Sequence, residues 1–334
     1  MERSTDARWT RRGVLTTAAG AVLTGCSSGE TTPTDTISTA EGTATPSSDS
    51  GETTTTRPPS SDSIGTTPTE GDDTGTESDS DRRDVVFQET PERELKLDLY
   101  LPGEGEDHPF VVFAHGGGWI GGDKGHRLMF DRLTANGYAV ADVQYRLAQE
   151  RRYPAAVRDV VAAVAWVRAN ADTYDIDGSR SALAGYSAGA HLATLVALAP
   201  GYERFQPRDF ELDASAAVDA VVGYSGPYDF TVPEAEENLL VAAFFGPDAS
   251  EATLQEGSPV THVDPGDPPA MLVHGTEDSI VPYRSTTVLA GTLRDADVPV
   301  EVVTGEGAGH GMIDDPDWRE RTLPRQIGFL DQHL

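Results

Sequence analysis

The segment Ala184-Gly-Tyr-Ser-Ala-Gly-Ala190 sets one serine, Ser187, between two glycines, with mostly small or apolar residues on either side. A serine hydroxyl is a poor nucleophile until a base takes its proton. A chain that uses one must also supply an imidazole, an acid to orient that imidazole, and donors for the oxyanion that forms when a carbonyl is attacked. This sequence supplies each. His310 lies in Gly307-Ala-Gly-His-Gly-Met312, Asp278 in His274-Gly-Thr-Glu-Asp-Ser-Ile-Val-Pro282, and three glycines in succession in His115-Gly-Gly-Gly-Trp119. Residues without side chains let backbone N–H groups approach a carbonyl oxygen, so Gly116 and Gly117, with Ala188 beside the serine, are the candidate donors. The chemistry these residues could carry is acyl transfer. His310, held by Asp278, would deprotonate Ser187, and water would then release the acyl group.

Competing residues fit less well. Ser225, in Gly223-Tyr-Ser-Gly-Pro227, lacks the second glycine and meets a proline, and Glu277 should point away from its neighbour Asp278. His191 falls one helical turn beyond Ser187 and is expected to pack or bond locally. His115 is expected to brace the glycine loop, and His274 to sit at a strand end. His108, His126, His262 and His333 have no suitable context. Trp119, Tyr186 and Phe244 could line an acyl or alcohol pocket or simply pack in a core.

The elements that must position these groups can be read from periodicity. Leu95, Leu97, Leu99 and Leu101 share one face at period two, the pattern of a half-buried strand. Apolar runs without alternation at 110–114, 139–143, 182–185, 217–222, 270–273 and 298–303 read as strands covered on both faces. Between them lie helical stretches. The clearest opens at Pro154 and sets Val157, Val160, Val161, Val164 and Val167 on one face. Strand and helix alternate, so the expectation is an α/β fold with a mostly parallel central sheet flanked by helices. The interval from Asp229 to Asp267 breaks the rhythm and is expected to be a small cap insertion. The strand before Ser187 and the helix-compatible run after it give the strand-turn-helix context in which serine, aspartate and histidine follow one another in chain order.

Composition divides the 334 residues into three parts. Thr10-Arg-Arg-Gly-Val-Leu15, a short apolar stretch and Leu23-Thr-Gly-Cys26 have the form of a twin-arginine signal segment ending in a lipobox, over residues 1–26. Cleavage there would leave Cys26, the single cysteine of the chain, as the lipid-bearing first residue. The expected location is the outer face of the cell membrane, reached by the Tat route. Residues 27–83 are almost wholly Ser, Thr, Gly, Pro, Asp and Glu and read as a disordered acidic stalk, a tether reaching about 40 Å on average. Residues 84–334 carry the apolar runs and form the expected catalytic domain, long enough to bury about 70–75% of its unfolded surface.

The formal net charge is −30 and only two lysines occur, Lys96 and Lys124, so a nucleic-acid partner is not expected. The acidity resembles that of proteins from salt-loving archaea, in which molar salt screens self-repulsion. No cofactor signature occurs, and none of the eight histidines belongs to a metal-binding helix motif.

Taken together, HGGGW, GYSAGAHLA, HGTEDSIVP and GAGHGM resemble the α/β-hydrolase superfamily. Within it they are similar to the carboxylesterase branch near hormone-sensitive-lipase-like and feruloyl-esterase-like (BD-FAE) enzymes, over roughly residues 90–334. Gly121-Gly-Asp-Lys124, Tyr145-Arg-Leu147 and Tyr153-Pro-Ala155 add to the resemblance. It implies an α/β-hydrolase fold and a small-molecule ester as substrate. Hormone-sensitive-lipase-like enzymes carry a helical cap before the first strands, which the stalk here replaces, so the BD-FAE-like branch is the better fit. An amidase or peptidase of the same fold, and a binding module on an inactive hydrolase scaffold, are the other readings.

Overall fold

The computed structural model describes residues 81–334 except 104, 126, 208–214 and 234–237. The signal segment, Cys26 and the stalk up to residue 80 therefore lie outside the described residues.

Non-alternating apolar runs become the interior of a sheet because such strands can be covered on both sides. β1 (Arg82–Glu89) and β2 (Glu94–Tyr100) open the described chain, followed by β3 (His108–Ala114), β4 (Ala139–Val143), β5 (Ile176–Tyr186), β6 (Ala220–Tyr224), β7 (Ala270–Gly275) and β8 (Val300–Gly305). They pair in the order β1-β2-β4-β3-β5-β6-β7-β8. The β1–β2 and β2–β4 pairs are antiparallel and the other pairs are parallel. Side chains of one strand serve two cores: Phe110, Val112 and Ala114 of β3 join one, and Val111 and Phe113 the other. On the first face lie α2 (Ala155–Ala169), α3 (Ala188–Leu198) and α6 (Arg284–Asp295), and on the second α1 (Arg127–Thr134) and α7 (Pro316–His333). Two short helices, α4 (Leu239–Phe245) and α5 (Glu251–Glu256), fall within the interval expected to form a cap.

The differences from the sequence reading are local. β1 begins at Arg82, two residues inside the span read as stalk, and runs through residues to which no strand was assigned. β5 extends from Ile176 rather than from 182, while β6 and β8 each lie two or three residues beyond the expected runs. α2 begins at Ala155, with Pro154 just ahead of it and no side-chain cap at that end. A missing cap costs about 1 kcal/mol. Burial of Val157, Val160, Val161, Val164 and Val167, none more than 2% exposed, outweighs it at about 1.5 kcal/mol or more each.

The parallel register sets the chemistry-bearing segments along one edge. Ala114 pairs with Gly185, Tyr186 with Tyr224, and Gly275 with Gly305, so the chain leaves β3, β5, β7 and β8 on the same side of the sheet. In open parallel sheets this carboxyl edge is where ligands bind.

Candidate active site

Ser187 stands between the end of β5 and the start of α3 at φ 53°, ψ −118°, a conformation costly for any residue with a side chain. Its N–H donates to Tyr224 O at 2.7 Å, and its carbonyl accepts from His191 N at 3.1 Å, so sheet and helix both hold the turn. The flanking glycines are required by contact with backbone. A Cβ on Gly185 would lie 2.4 Å from the Gly189 carbonyl, and one on Gly189 would lie 2.0 Å from Ala114 O.

The three groups distant in sequence meet at this turn. Ser187 Oγ is 2.9 Å from His310 Nε2, and His310 Nδ1 is 2.7 Å from Asp278 Oδ2. A carboxylate oxygen accepts, so Nδ1 carries the proton and the Nε2 lone pair faces the serine hydroxyl. The loop bearing His310 is tied down at its carbonyl, which accepts from Tyr186 OH at 3.2 Å and from Ser225 Oγ at 3.4 Å. Ser225 therefore supports the histidine loop. Glu277 is exposed, as expected of the neighbour that points away.

Asp278 is held from all sides. Its Oδ1 accepts the N–H groups of Ile280 and Val281, both at 2.9 Å, and its Oδ2 also accepts from His274 Nε2 at 3.0 Å. Burial opposes ionisation of this carboxyl. The hydrogen bonds from His274, His310, Val281 and Ile280 outweigh it and hold the group well below the usual carboxylate range. His274 is a residue whose part sequence reasoning missed. Its Nε2 also lies 2.9 Å from Val281 O, so Nε2 is the protonated nitrogen, and Nδ1 accepts from Thr286 Oγ1 at 2.7 Å. The available signal was its spacing, four residues before Asp278 in the turn that follows β7.

On the other side of Ser187 lies the glycine loop. His115 Nδ1 donates to Gly116 O at 2.7 Å while its ring stacks on Tyr145 with centroids 4.2 Å apart, which is the bracing expected of it. A cavity of about 280 Å³ opens here, lined by Gly118, Trp119, Ser187 and Ala188. Of the expected donors, Ala188 lines this cavity. On the loop side the lining residue is Gly118 rather than Gly116 or Gly117. Gly116 is covered by the Tyr186 ring, and Gly117, at φ +115°, packs against the backbone of Gly121.

The interval from Asp229 to Asp267 supplies much of the remaining wall through Phe230, Val232, Leu240 and Val241, with Ile280 and Val281 opposite. Leu240 sits close enough to the loop that a Cβ on Gly118 would meet its Cδ1 at 3.0 Å. Trp119 lines the cavity as one of the three aromatic candidates. Phe244 stacks behind it at 4.7 Å, and Tyr186 serves the His310 loop instead. Trp119 Nε1 donates to His191 Nδ1 at 3.2 Å, and His191 Nε2 donates to Gly257 O at 2.8 Å. Burial lowers the His191 pKa to about 4, which keeps the ring neutral and able to accept from the indole. His191 thus links loop, helix α3 and cap. Leu239, Ile280 and Ile120 are 85%, 57% and 44% exposed, and each lines the cavity or adjoins a residue that does.

A mostly parallel eight-stranded sheet covered by helices on both faces, with a serine at the β5–α3 turn, is an α/β-hydrolase fold. A solved thermophilic esterase from Thermogutta terrifontis, Est2, matches it with TM-score 0.64 and 25% identity over 74% of this chain and 90% of that one. The BD-FAE family model matches residues 97–293, more than half of the chain, and the chain belongs to that family. Among curated relatives, Esterase LipC of Mycobacterium tuberculosis is 29% identical over 241 residues, which is 69% of this chain and 60% of that protein. Probable carboxylic ester hydrolase LipM of the same organism is 35% identical over 207 residues, 59% of this chain and 47% of that protein. The chain thus spans about half to three fifths of the length of these relatives.

Proposed function

We propose that the protein is a serine carboxylic-ester hydrolase that works through an acyl-enzyme. The observation that carries this reading is the unbroken line from Ser187 Oγ through His310 to Asp278, at 2.9 and 2.7 Å, beside an apolar cavity. His310 takes the serine proton as Oγ attacks the ester carbonyl, Asp278 stabilises the imidazolium that forms, and His310 returns the proton to the leaving alcohol. The developing oxyanion faces Ala188 N–H and the glycine loop of Gly116 and Gly117, whose next residue, Gly118, borders the cavity. Water then repeats the sequence on the acyl group. The esterases and ester hydrolases among the relatives support the same class.

At 280 Å³ the cavity is small for a ligand site, and its wall is mostly aliphatic, so the favoured substrate buries a short apolar acyl group of about two to six carbons. A series of p-nitrophenyl esters from acetate to decanoate tests this. kcat/KM is expected to peak within the short chains and fall about ten-fold or more by decanoate, with the matching anilides slower still. A profile that climbs to the longest chain contradicts the cavity reading, and faster anilide cleavage favours the amidase.

We further read the chain as exported by the twin-arginine route and held at the outer membrane face by a lipid on Cys26, which rests on the sequence of residues 10–26. The mass of the mature N-terminal peptide tests it. A diacylglyceryl-modified Cys26 is expected, and an unmodified, uncleaved terminus contradicts it.

A further inference from the structure

On a chain of formal charge −30, positive charge gathered in one place calls for a reason. Several arginines elsewhere stand singly against carboxylates, as in Arg93 with Glu150 at 2.7 Å, Arg180 with Asp177 at 2.6 Å and Arg325 with Glu301 at 2.7 Å, and where Arg83, Arg127 and Lys124 gather, Asp81, Asp84 and Asp98 face them. The turn between β1 and β2, the approach to α2 and the segment near Arg204 break this pattern. There a cavity of about 460 Å³, larger than the one at Ser187, is lined by Arg146, Arg151, Arg152, Arg158 and Arg204, against the carboxylates of Glu89 and Glu92.

Some of this charge is already spent. Arg146 is bound to the buried Asp159 at 2.7 Å and to Glu92 at 3.1 Å, and Arg204 is bound to Glu256 at 2.6 Å. Arg151 and Arg152 are matched less closely. Arg151 is 69% exposed at its side chain and lies 3.8 Å from Glu92, whose nearer partner is Arg146. The side chain of Arg152 makes no hydrogen bond or ion pair among the described residues, whereas Arg158 is engaged, its Nε–H donating to the carbonyl of Arg204 at 2.9 Å. Grouped guanidinium groups repel one another. Each also presents a planar fork of N–H donors that fits two oxygens of a carboxylate, phosphate or sulfate.

We propose that this cavity is an anion site, separate from the cavity at Ser187, that binds a small molecule through a carboxylate, phosphate or sulfate group. Arg151 and Arg152 meet the anion, Arg158 adds to the field, and Arg146 is the fixed wall that Asp159 holds in place. The two cavities are separated by aromatic rings. Tyr153, on the anion side, donates its N–H to Phe244 O at 3.0 Å, and Phe244 stacks on Trp119 of the serine cavity at 4.7 Å. An anion bound here therefore lies behind Phe244, away from the reacting atoms, and is not the acyl group itself.

The test is titration calorimetry on the full chain with inorganic phosphate, sulfate and citrate in turn, at one fixed ionic strength because exposed charges are screened by salt. Saturable binding of one anion per chain is expected for at least one of the three, and their order of strength identifies the group recognised. The double variant Arg151→Gln/Arg152→Gln is expected to bind about ten-fold or more weakly. Its ester hydrolysis in the absence of added anion should stay unchanged, since neither residue borders the serine cavity. Arg152→Gln alone, which removes no hydrogen bond or ion pair among the described residues, should weaken binding in the same direction and guards against a folding defect in the double variant. The proposal is overturned if none of the three anions binds saturably, or if both variants bind as tightly as the unaltered chain. These readouts are independent of whether Ser187 is a nucleophile.

Discussion

Ser187→Ala is expected to lower kcat/KM on a short p-nitrophenyl ester by about 10⁴-fold or more, read in high-salt buffer suited to so acidic a chain. Loss of a nucleophile within a serine–histidine–acid unit removes covalent catalysis at once and costs on the order of 10⁶ in turnover, leaving only what binding and oxyanion donors supply. The fold should survive. Alanine meets the same positive φ as serine and keeps the N–H to Tyr224 O and the carbonyl that accepts from His191 N. A thermal midpoint close to that of the unaltered protein, together with lost turnover, separates chemistry from folding. Turnover within ten-fold of the original would remove Ser187 from the mechanism.

Asp278→Asn is the second large effect, about 10⁴-fold in kcat. Two ring N–H groups, from His310 and His274, converge on one carboxylate oxygen at 2.7 and 3.0 Å. An amide nitrogen in that place offers them donors, and an amide oxygen offers a single neutral acceptor in place of a charge. His310 relieves the conflict by moving its proton to Nε2, which removes the lone pair that faces Ser187 Oγ. The same substitution changes the response to acid. Asp278 is ionised in the folded state well below the usual carboxylate range, so its contribution is fully present above the unfolded value of about 3.9. That contribution is lost as pH falls toward the depressed folded value. Unfolding midpoints measured from pH 6 down to pH 3 should therefore decline less steeply in the asparagine variant than in the unaltered chain. An unchanged slope, or a kcat within ten-fold of the original, contradicts the part given to Asp278.

Much of this site could be read from the chain because its parts are backbone demands. Gly185 and Gly189 are there because a Cβ would strike a carbonyl, and such needs leave a fixed residue type at a fixed spacing. The non-alternating strands β3, β4, β6 and β7 were equally plain, since burial on both faces allows few polar residues, whereas β8, expected to be covered in the same way, is an edge strand whose Val300, Glu301 and Val302 are only half-buried. β1 escaped notice because it is an edge strand with two irregularities in its register, and only Phe87 and Gln88 are buried along it. Contacts made by folding were harder to foresee. That Gly118 rather than Gly116 borders the cavity depends on how the loop turns at three successive glycines, for which sequence offers no rotamer or periodicity. The second imidazole on Asp278 depends on a turn closing four residues into a ring of hydrogen bonds. Arg146, Arg151, Arg152 and Arg158 fall within one short stretch, but the cavity they share exists only because the β1–β2 turn and Arg204 close around it.

In the proposed acyl-enzyme route, Oγ of Ser187 forms the covalent bond to the acyl group. The most direct measurement is to react the folded, salt-equilibrated protein with a fluorophosphonate and map the adduct by peptide mass spectrometry. One adduct per chain is expected, on the peptide carrying Ser187, with hydrolysis lost in step with labelling. An adduct on another serine such as Ser225, or no adduct on protein that still cleaves esters, would contradict it.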